Sequence, residues 1–131
     1  MNRVIKFRGL RTDGKGWVYG SLSMVDTRSQ QIGKNQGQMF ICEVQNAWQN
    51  TENGRLIGYW IEVHPETVSQ FTGLVDKNGV EIYCDDILDN GKLVYWSNEQ
   101  ACYFCGDNPL CMSNSHRAII GNIHEHKHLL I

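Results

Sequence analysis

The chain has 131 residues and an ordinary hydrophobic content of 41%, so it can form one globular domain or two small lobes. Its net charge of −2 excludes an overall attraction to nucleic acid or to acidic membranes, and no apolar run is long enough to span a bilayer. Its 13 glycines and 2 prolines predict tight turns rather than disorder. The odd number of cysteines, 5, and the charged opening MNRVIKFRGL, which is unlike a signal peptide, predict free thiols and a cytoplasmic location.

The first half of the chain, residues 1–63, is predicted to form a β lobe. Residues 3–7 have the pattern of a strand, and Asp13-Gly14 is a turn dipeptide because glycine accepts the positive φ of a hairpin turn. The alternating sequence WVYGSLS at 17–23 is predicted to pair with 3–7 as a hairpin. Further strands are predicted at 39–44 and 56–63, and the polar segments 26–37 and 45–55 are predicted loops.

His64-Pro65 marks the predicted boundary to a second lobe, residues 64–131, because proline removes a backbone donor. Pro65 begins either one helical turn or an edge strand. An Asn-Gly pair predicts a hairpin over 73–83. Further strands are predicted at 84–88, 93–97, 101–105 and 117–125. This spacing predicts a mostly β fold of two small lobes, the C-terminal one a small SH3-like barrel, since closure removes exposed sheet edges.

A basic and aromatic cluster near the start of the chain suggests a nucleic-acid-binding surface. Its members are Lys6, Arg8, Arg11, Trp17 and Tyr19. Basic side chains pair with phosphates, aromatic rings stack on bases, and small β-barrels serve as platforms for both. The alternative is a strand face whose charges lie in solvent or pair with acids, and whose rings fill a small core. The middle of the chain is acidic, so the opposed charges also suit the packing of lobes or subunits.

An acidic cluster follows the predicted hairpin at 73–83. Its members are Glu81, Asp85, Asp86 and Asp89. Asp85 or Asp86 can accept backbone N–H groups in the turn before the next strand, and this structural role is favoured. The alternative is a divalent-metal site, since hard cations bind several oxygen ligands. The order EIYCDDILD lacks the ligand spacing of a calcium loop, and neighbouring strand residues point to opposite faces.

A second candidate metal site combines cysteine with histidine. Cys102 and Cys105 have the C-x₂-C spacing of half a structural zinc site, and Cys111 with His116 can supply the other half. Against zinc, Tyr103 and Phe104 suit a packed strand, and the favoured interpretation is thiols in the core or in loops. The sequence HEHKH is predicted to place its three histidines, His124, His126 and His128, on one side of a strand end.

Four motifs, in this order, resemble the YopX family of bacteriophage and prophage proteins. They are IKFRGLRTDGKGWVYGSL, VHPETVSQFTGLVDKNGVEIYCDDIL, GKLVYW and IIGNIHEHKHLL. The resemblance implies a β-rich fold with a small C-terminal barrel and a phage or prophage origin, with the protein located in the bacterial host, and it brings no catalytic residues. The family has a glycine before the final Asp of GDI, where this chain has Asp85-Asp86. We therefore expect Asp85 in the left-handed conformation, which Asp tolerates better than most residues.

No coherent catalytic set accompanies these motifs. The sequence has no nucleophile elbow, P-loop or dinucleotide-binding fingerprint. It therefore favours a non-enzymatic binding or assembly module that needs no cofactor, does not bind a membrane, and either self-associates or engages a host or phage protein. The alternatives are a nucleic-acid-binding small β-barrel and a metal-dependent hydrolase.

Overall fold

The chain is built from short strands joined by tight turns. A computed structural model describes residues 3–25, 38–43, 51–52, 55–56 and 60–131. The strands are β1 (Phe7–Leu10), β2 (Trp17–Val25), β3 (Gln38–Cys42), β4 (Thr51–Glu52), β5 (Arg55–Leu56), β6 (Trp60–Val63), β7 (Ser69–Val75), β8 (Glu81–Tyr83), β9 (Asp86–Leu88), β10 (Val94–Ser97), β11 (Cys102–Cys105), β12 (Asn108–Pro109) and β13 (Ile119–Asn122). The helical segments are 3₁₀ turns at Pro65–Thr67, Leu110–Met112, Asn114–His116 and Lys127–Leu129. The predicted mostly β fold is confirmed.

The chain divides into two compact units. The N-terminal unit is Lys6–Val68, and the C-terminal unit combines Met1–Ile5 with Ser69–Ile131. The predicted loop at 26–37 lies outside the described residues, and so does most of the predicted loop at 45–55. Near the end of that second segment, the two-residue strands β4 and β5 pair with each other. Among the residues that the structure describes, no helix has the length and apolarity needed to cross a membrane.

The first hairpin lies further along the chain than its predicted position. β1 begins at Phe7, which is opposite Gly20, and ends at Leu10, which is opposite Trp17. The N–H of Arg11 donates to the Gly16 carbonyl at 2.9 Å, and this bond closes the turn directly after Leu10. The pairing was predicted, but the strand at 3–7 was placed too early because turn closure decides the register.

The sheet of the N-terminal unit has the order β6-β3-β2-β1 with antiparallel neighbours. Its outer strands nevertheless meet at one end, since His64 N–H donates to the Leu10 carbonyl at 2.8 Å and Thr12 N–H donates to the Glu62 carbonyl at 3.1 Å. The sheet must curl to allow this contact. Its concave side encloses a core of three buried residues, Val18, Ile41 and Val63.

The C-terminal unit contains three small antiparallel groups, β7 with β8, β9 with β13, and β10 with β11 and β12. Its core joins Ile82, Leu88, Val94, Cys105 and Leu110. Within the part of the chain that the structure describes, these groups do not close into the predicted SH3-like barrel. Apart from β7, their strands have only two to four residues, so they pair over too short a length to form one continuous ladder.

Several predicted turns are present. The hairpin of β7 and β8 turns through Gly79, which has a φ of 79°, as the Asn-Gly pair predicted. Pro65 begins a 3₁₀ turn that ends at Thr67, so of the two predicted alternatives the helical turn is the correct one. The next strand, β7, begins at Ser69. The Thr67 hydroxyl donates to the His64 carbonyl at 2.7 Å and accepts the Leu10 N–H at 2.9 Å, so the turn is anchored within its unit.

Asp76 is a carboxylate that is only 4% exposed. Its Oδ1 accepts the backbone N–H groups of Asn78 and Val80 at 2.8 and 3.0 Å, and its Oδ2 accepts that of Ile119 at 3.0 Å. Burial opposes ionisation, but the three backbone donors prevail and hold the pKa of Asp76 below its ordinary value. One ionised side chain therefore ties the β7–β8 turn to the first residue of β13.

Gly9 allows the two outer strands of the N-terminal unit to approach. A Cβ at this position would lie 2.9 Å from the Cβ of Val63, which is buried. We expect Gly9→Ala to lower the free energy of unfolding by about 1–3 kcal/mol through overpacking. Urea denaturation measures this loss. The double variant Gly9→Ala with Val63→Ala should lose less unfolding free energy than the sum of the losses of the two single variants. A loss equal to that sum would contradict the contact between the two residues.

Asp76→Asn should destabilise the C-terminal unit by about 1–3 kcal/mol at neutral pH, because an amide nitrogen cannot accept the N–H groups that the carboxylate accepts. The lowered pKa adds stability that is present above about pH 4 and is lost as the pH falls through the folded-state value. Urea denaturation across this range should show that loss in the wild type and a smaller one in Asp76→Asn.

The matched control is Asp107→Asn, since Asp107 is an exposed carboxylate of the same unit. It should change the free energy of unfolding by less than about 0.5 kcal/mol. Equal effects of the two variants would show that Asp76 contributes no more than a surface charge.

Candidate functional site

The hairpin of β1 and β2 brings part of the predicted nucleic-acid set onto one sheet face. Arg8 lies opposite Tyr19, and the Arg8 guanidinium carbon lies 4.7 Å from the centre of the Trp17 ring. Arg8 is only 6% exposed, whereas Tyr19 is 45% exposed. The arginine is therefore stacked within the unit, and Tyr19 is the ring of this set that is most open to a partner.

The other basic members of the set differ in their surroundings. Arg11 Nη2 lies 2.7 Å from Asp13 Oδ2. This hydrogen bond raises the pKa of Arg11 and lowers the pKa of Asp13. Lys6 lies just before β1 and is half-buried. The predicted residues thus share a neighbourhood, and Arg8 and Arg11 already contact side chains of the same unit.

The four predicted acidic ligands have separate roles. Asp86 is buried and its Oδ2 accepts the Tyr83 N–H at 2.8 Å, which confirms the predicted turn role. Asp89 accepts the Ala118 N–H at 3.3 Å and lies 3.5 Å from Arg117 Nη1. Glu81 is half-buried on β8. Across the described ranges, no group of three or more His, Cys, Asp or Glu side chains is arranged to hold a metal ion.

The predicted zinc ligands are spread over β11 and the turns after it. Cys105 is buried in the core, with its Sγ 3.7 Å from the Lys92 carbonyl oxygen, and burial raises the pKa of its thiol. Cys102 is half-buried at the other end of β11. Cys111 and His116 are exposed and belong to two successive 3₁₀ turns. The structure does not gather these four side chains into one site.

The three histidines of HEHKH do not share a strand face, so this prediction was wrong. β13 ends at Asn122, whose Oδ1 accepts the N–H groups of His124 and Glu125 at 3.0 Å each. This side-chain turn stops the strand. His126 Nδ1 instead accepts the Asn122 N–H at 3.2 Å, and His124 extends towards Asp85.

Asp85 lies in a turn at the centre of a polar cluster. Its φ is 75°, so the expected left-handed conformation is confirmed. Its Oδ2 lies 3.2 Å from His124 Nε2, and its Oδ1 lies 3.8 Å from Cys84 Sγ. Burial and the neighbouring Asp85 charge raise the pKa of the Cys84 thiol to about 11. Cys84 is therefore protonated near neutral pH and is a poor nucleophile.

An aromatic pair lies beside this cluster on the β10–β11 hairpin. Trp96 and Tyr103 are directly opposite each other, with ring centres 5.0 Å apart and planes at 72°. A hydrogen bond joins the Trp96 backbone to the Cys84 thiol, and Asp85 N–H donates to the Val94 carbonyl at 2.9 Å. The acidic turn and the aromatic strand are thus neighbouring parts of one surface, defined by Cys84, Asp85, Trp96, Tyr103 and His124, which we call the aromatic rim.

The fold and these motifs can be compared with known proteins. The family model described as YopX protein matches residues 6–131. The chain belongs to the YopX family. Protein EF1440 from Enterococcus faecalis has a similar crystal structure, with a TM-score of 0.57, 24% sequence identity, and an alignment that covers 99% of this chain and 100% of that chain. At this identity the likeness shows the fold alone. No curated protein matches the chain.

In this YopX-family chain, sequence reasoning did not identify the aromatic rim. The strands LVYWS and ACYFC were predicted, but the pairing of Trp96 with Tyr103 depends on the hairpin register. His124 was assigned to a strand end, so its contact with Asp85 was also missed. The signal that was present is a pair of adjacent aromatic residues in each of two neighbouring predicted strands, which places one ring of each pair on each strand face.

Proposed function

We propose that this YopX-family chain is a non-enzymatic binding and assembly module that self-associates, is encoded by a phage or prophage, and acts in the cytoplasm of its bacterial host. The observation that supports the proposal is the exposure of large aromatic side chains on strands. Trp60 on β6 is 52% exposed and Trp96 on β10 is 44% exposed. Tryptophan and tyrosine are enriched at protein interfaces, where one rigid ring buries much apolar area.

The chemistry of the thiols agrees with a binding role. Cys84 and Cys105 both have raised pKa values because they are partly or fully buried. A thiol that remains protonated at neutral pH does not attack a carbonyl efficiently. The Asp86 carboxylate is occupied by a backbone N–H, and its burial keeps it from substrate. These residues stabilise turns and core, which leaves the exposed rings as the groups suited to contact a partner.

Self-association should depend on the exposed tryptophans. We expect native mass spectrometry of the full chain to detect a discrete oligomer, and Trp60→Ser or Trp96→Ser to shift it towards the monomer by at least about tenfold in dissociation constant, as for residues at the centre of an interface. Val80→Ser is the matched control, since Val80 is exposed in a turn and is not aromatic. A monomer at every accessible concentration, with wild type and variants alike, would contradict self-association.

A nucleic-acid-binding role is the second candidate, supported by the placement of Arg8, Trp17 and Tyr19 on one sheet face. In this case Tyr19 stacks on a base and Lys6 pairs with a phosphate. We expect a fluorescent single-stranded oligonucleotide to bind less tightly as salt increases, and Lys6→Glu to reduce the salt slope by about 1. Lys92→Glu makes the same charge change in the C-terminal unit and should have little effect. No binding at low salt would remove this candidate.

A further inference from the structure

The aromatic rim holds its tryptophan in a fixed orientation. Trp96 Nε1 donates to Asn98 Oδ1 at 2.9 Å, and the edge of one ring packs against the other in the pair with Tyr103. Tyr103 also packs against the core of the C-terminal unit. A ring that is already ordered loses little conformational entropy when a partner binds, so more of the contact energy appears as affinity.

The acidic side of the rim is equally well positioned. The Asp85 backbone is fixed by two hydrogen bonds, since its N–H donates to the Val94 carbonyl and its carbonyl accepts the Ile123 N–H, both at 2.9 Å. One carboxylate oxygen contacts His124 Nε2. Each oxygen of a carboxylate can accept more than one hydrogen bond, so Asp85 retains acceptor capacity for a further donor.

The charge of the C-terminal unit determines which donor the rim suits. The unit contains 5 Lys or Arg and 8 Asp or Glu, which gives a net charge of −3 with histidine neutral. The face of an aromatic ring is also negative, because of its quadrupole. A carboxylate, two ring faces and an acidic unit together repel anions and attract cations.

We propose that Trp96, Tyr103 and Asp85 form a recognition site for a basic side chain, arginine in particular, on an exposed segment of a protein partner. A guanidinium is planar, so it can stack on an aromatic face while its edge donates to a carboxylate. An ammonium group lacks this planar geometry, so lysine should bind less tightly than arginine. The inference rests on the proposed binding role and adds the chemistry of the partner.

The test uses the full chain labelled with ¹⁵N and a terminally blocked Gly-Arg-Gly-Arg-Gly peptide as the probe. We expect saturable shifts of the Trp96 indole N–H and of the Cys84, Asp85 and Tyr103 amide signals. The lysine analogue should bind more weakly, and the glutamate analogue should cause no such shifts. Affinity should fall at least about threefold in Trp96→Ala and in Asp85→Asn, as expected for loss of a cation–π contact or of a charged acceptor.

Tyr95→Ala is the matched control. Tyr95 precedes Trp96 on β10, is 38% exposed, and pairs with Phe104 on the opposite face of the same hairpin. Its loss should leave the peptide affinity unchanged within about twofold. The dispersed amide spectrum of each variant shows that it is folded, and Asp85→Asn tests the site if Trp96→Ala unfolds.

Three results would overturn the inference: no saturable shift, equal binding of the glutamate peptide, or equal loss of affinity in Tyr95→Ala. These outcomes are separate from the proposed self-association, which native mass spectrometry measures without any peptide. An oligomer that persists in Trp96→Ser, and so does not depend on Trp96, but ignores the arginine peptide contradicts the basic-partner site alone. A monomer that binds the peptide at Trp96 supports the site and contradicts self-association.

Discussion

The C-terminal unit depends on the buried carboxylate of Asp76. Removing Asp76 from water is unfavourable, and three backbone N–H donors offset that cost only when the β7–β8 turn and the start of β13 are both in place. A second bond at the same junction, from Lys77 N–H to the Arg117 carbonyl at 2.9 Å, joins the same two segments. Because the residues involved are far apart in sequence, these hydrogen bonds stabilise the tertiary structure of the unit cooperatively, which short strands alone do not do.

The pairing of β9 with β13 also makes the aromatic rim rigid. β13 pairs with β9, and the residues on either side of that pair, Asp85 before β9 and His124 after β13, face each other. Val94 and Cys105 lie in the core, and because side chains alternate along a strand, Trp96 and Tyr103 extend the same face of the hairpin to the surface. The exposed rings are thus continuous with the core, which distinguishes them from isolated apolar residues on a mobile loop.

Local chemistry predicted local structure well in this chain. The Asn-Gly pair at the β7–β8 turn, the left-handed Asp85 and the turn role of Asp86 were all expected from residue type and spacing, and each is present. The predictions that were wrong concern competition between local and distant contacts. Residues 3–7 have the alternation of a strand, yet the bond from Arg11 to Gly16 sets a hairpin that starts at Phe7. HEHKH also alternates, yet Asn122 captures two N–H groups and ends the strand first. The aromatic rim was not predicted, because it depends on which residues of the two strands lie opposite each other, and the sequence does not specify that register.

The same packing supports the proposed binding role of the polar groups. A catalytic thiol needs a lowered pKa, but burial and the adjacent Asp85 carboxylate raise the pKa of Cys84, and the His124 imidazole contacts that carboxylate. The Asp85 carboxylate lies in space between the Cys84 thiol and the His124 imidazole. A carboxylate in this position stabilises a cation better than it activates a nucleophile. The neighbouring rings favour cations for the same electrostatic reason. Acid and aromatic groups on one rigid surface therefore support the proposed recognition of positive charge, which would be a property of the whole arrangement and of none of its residues alone.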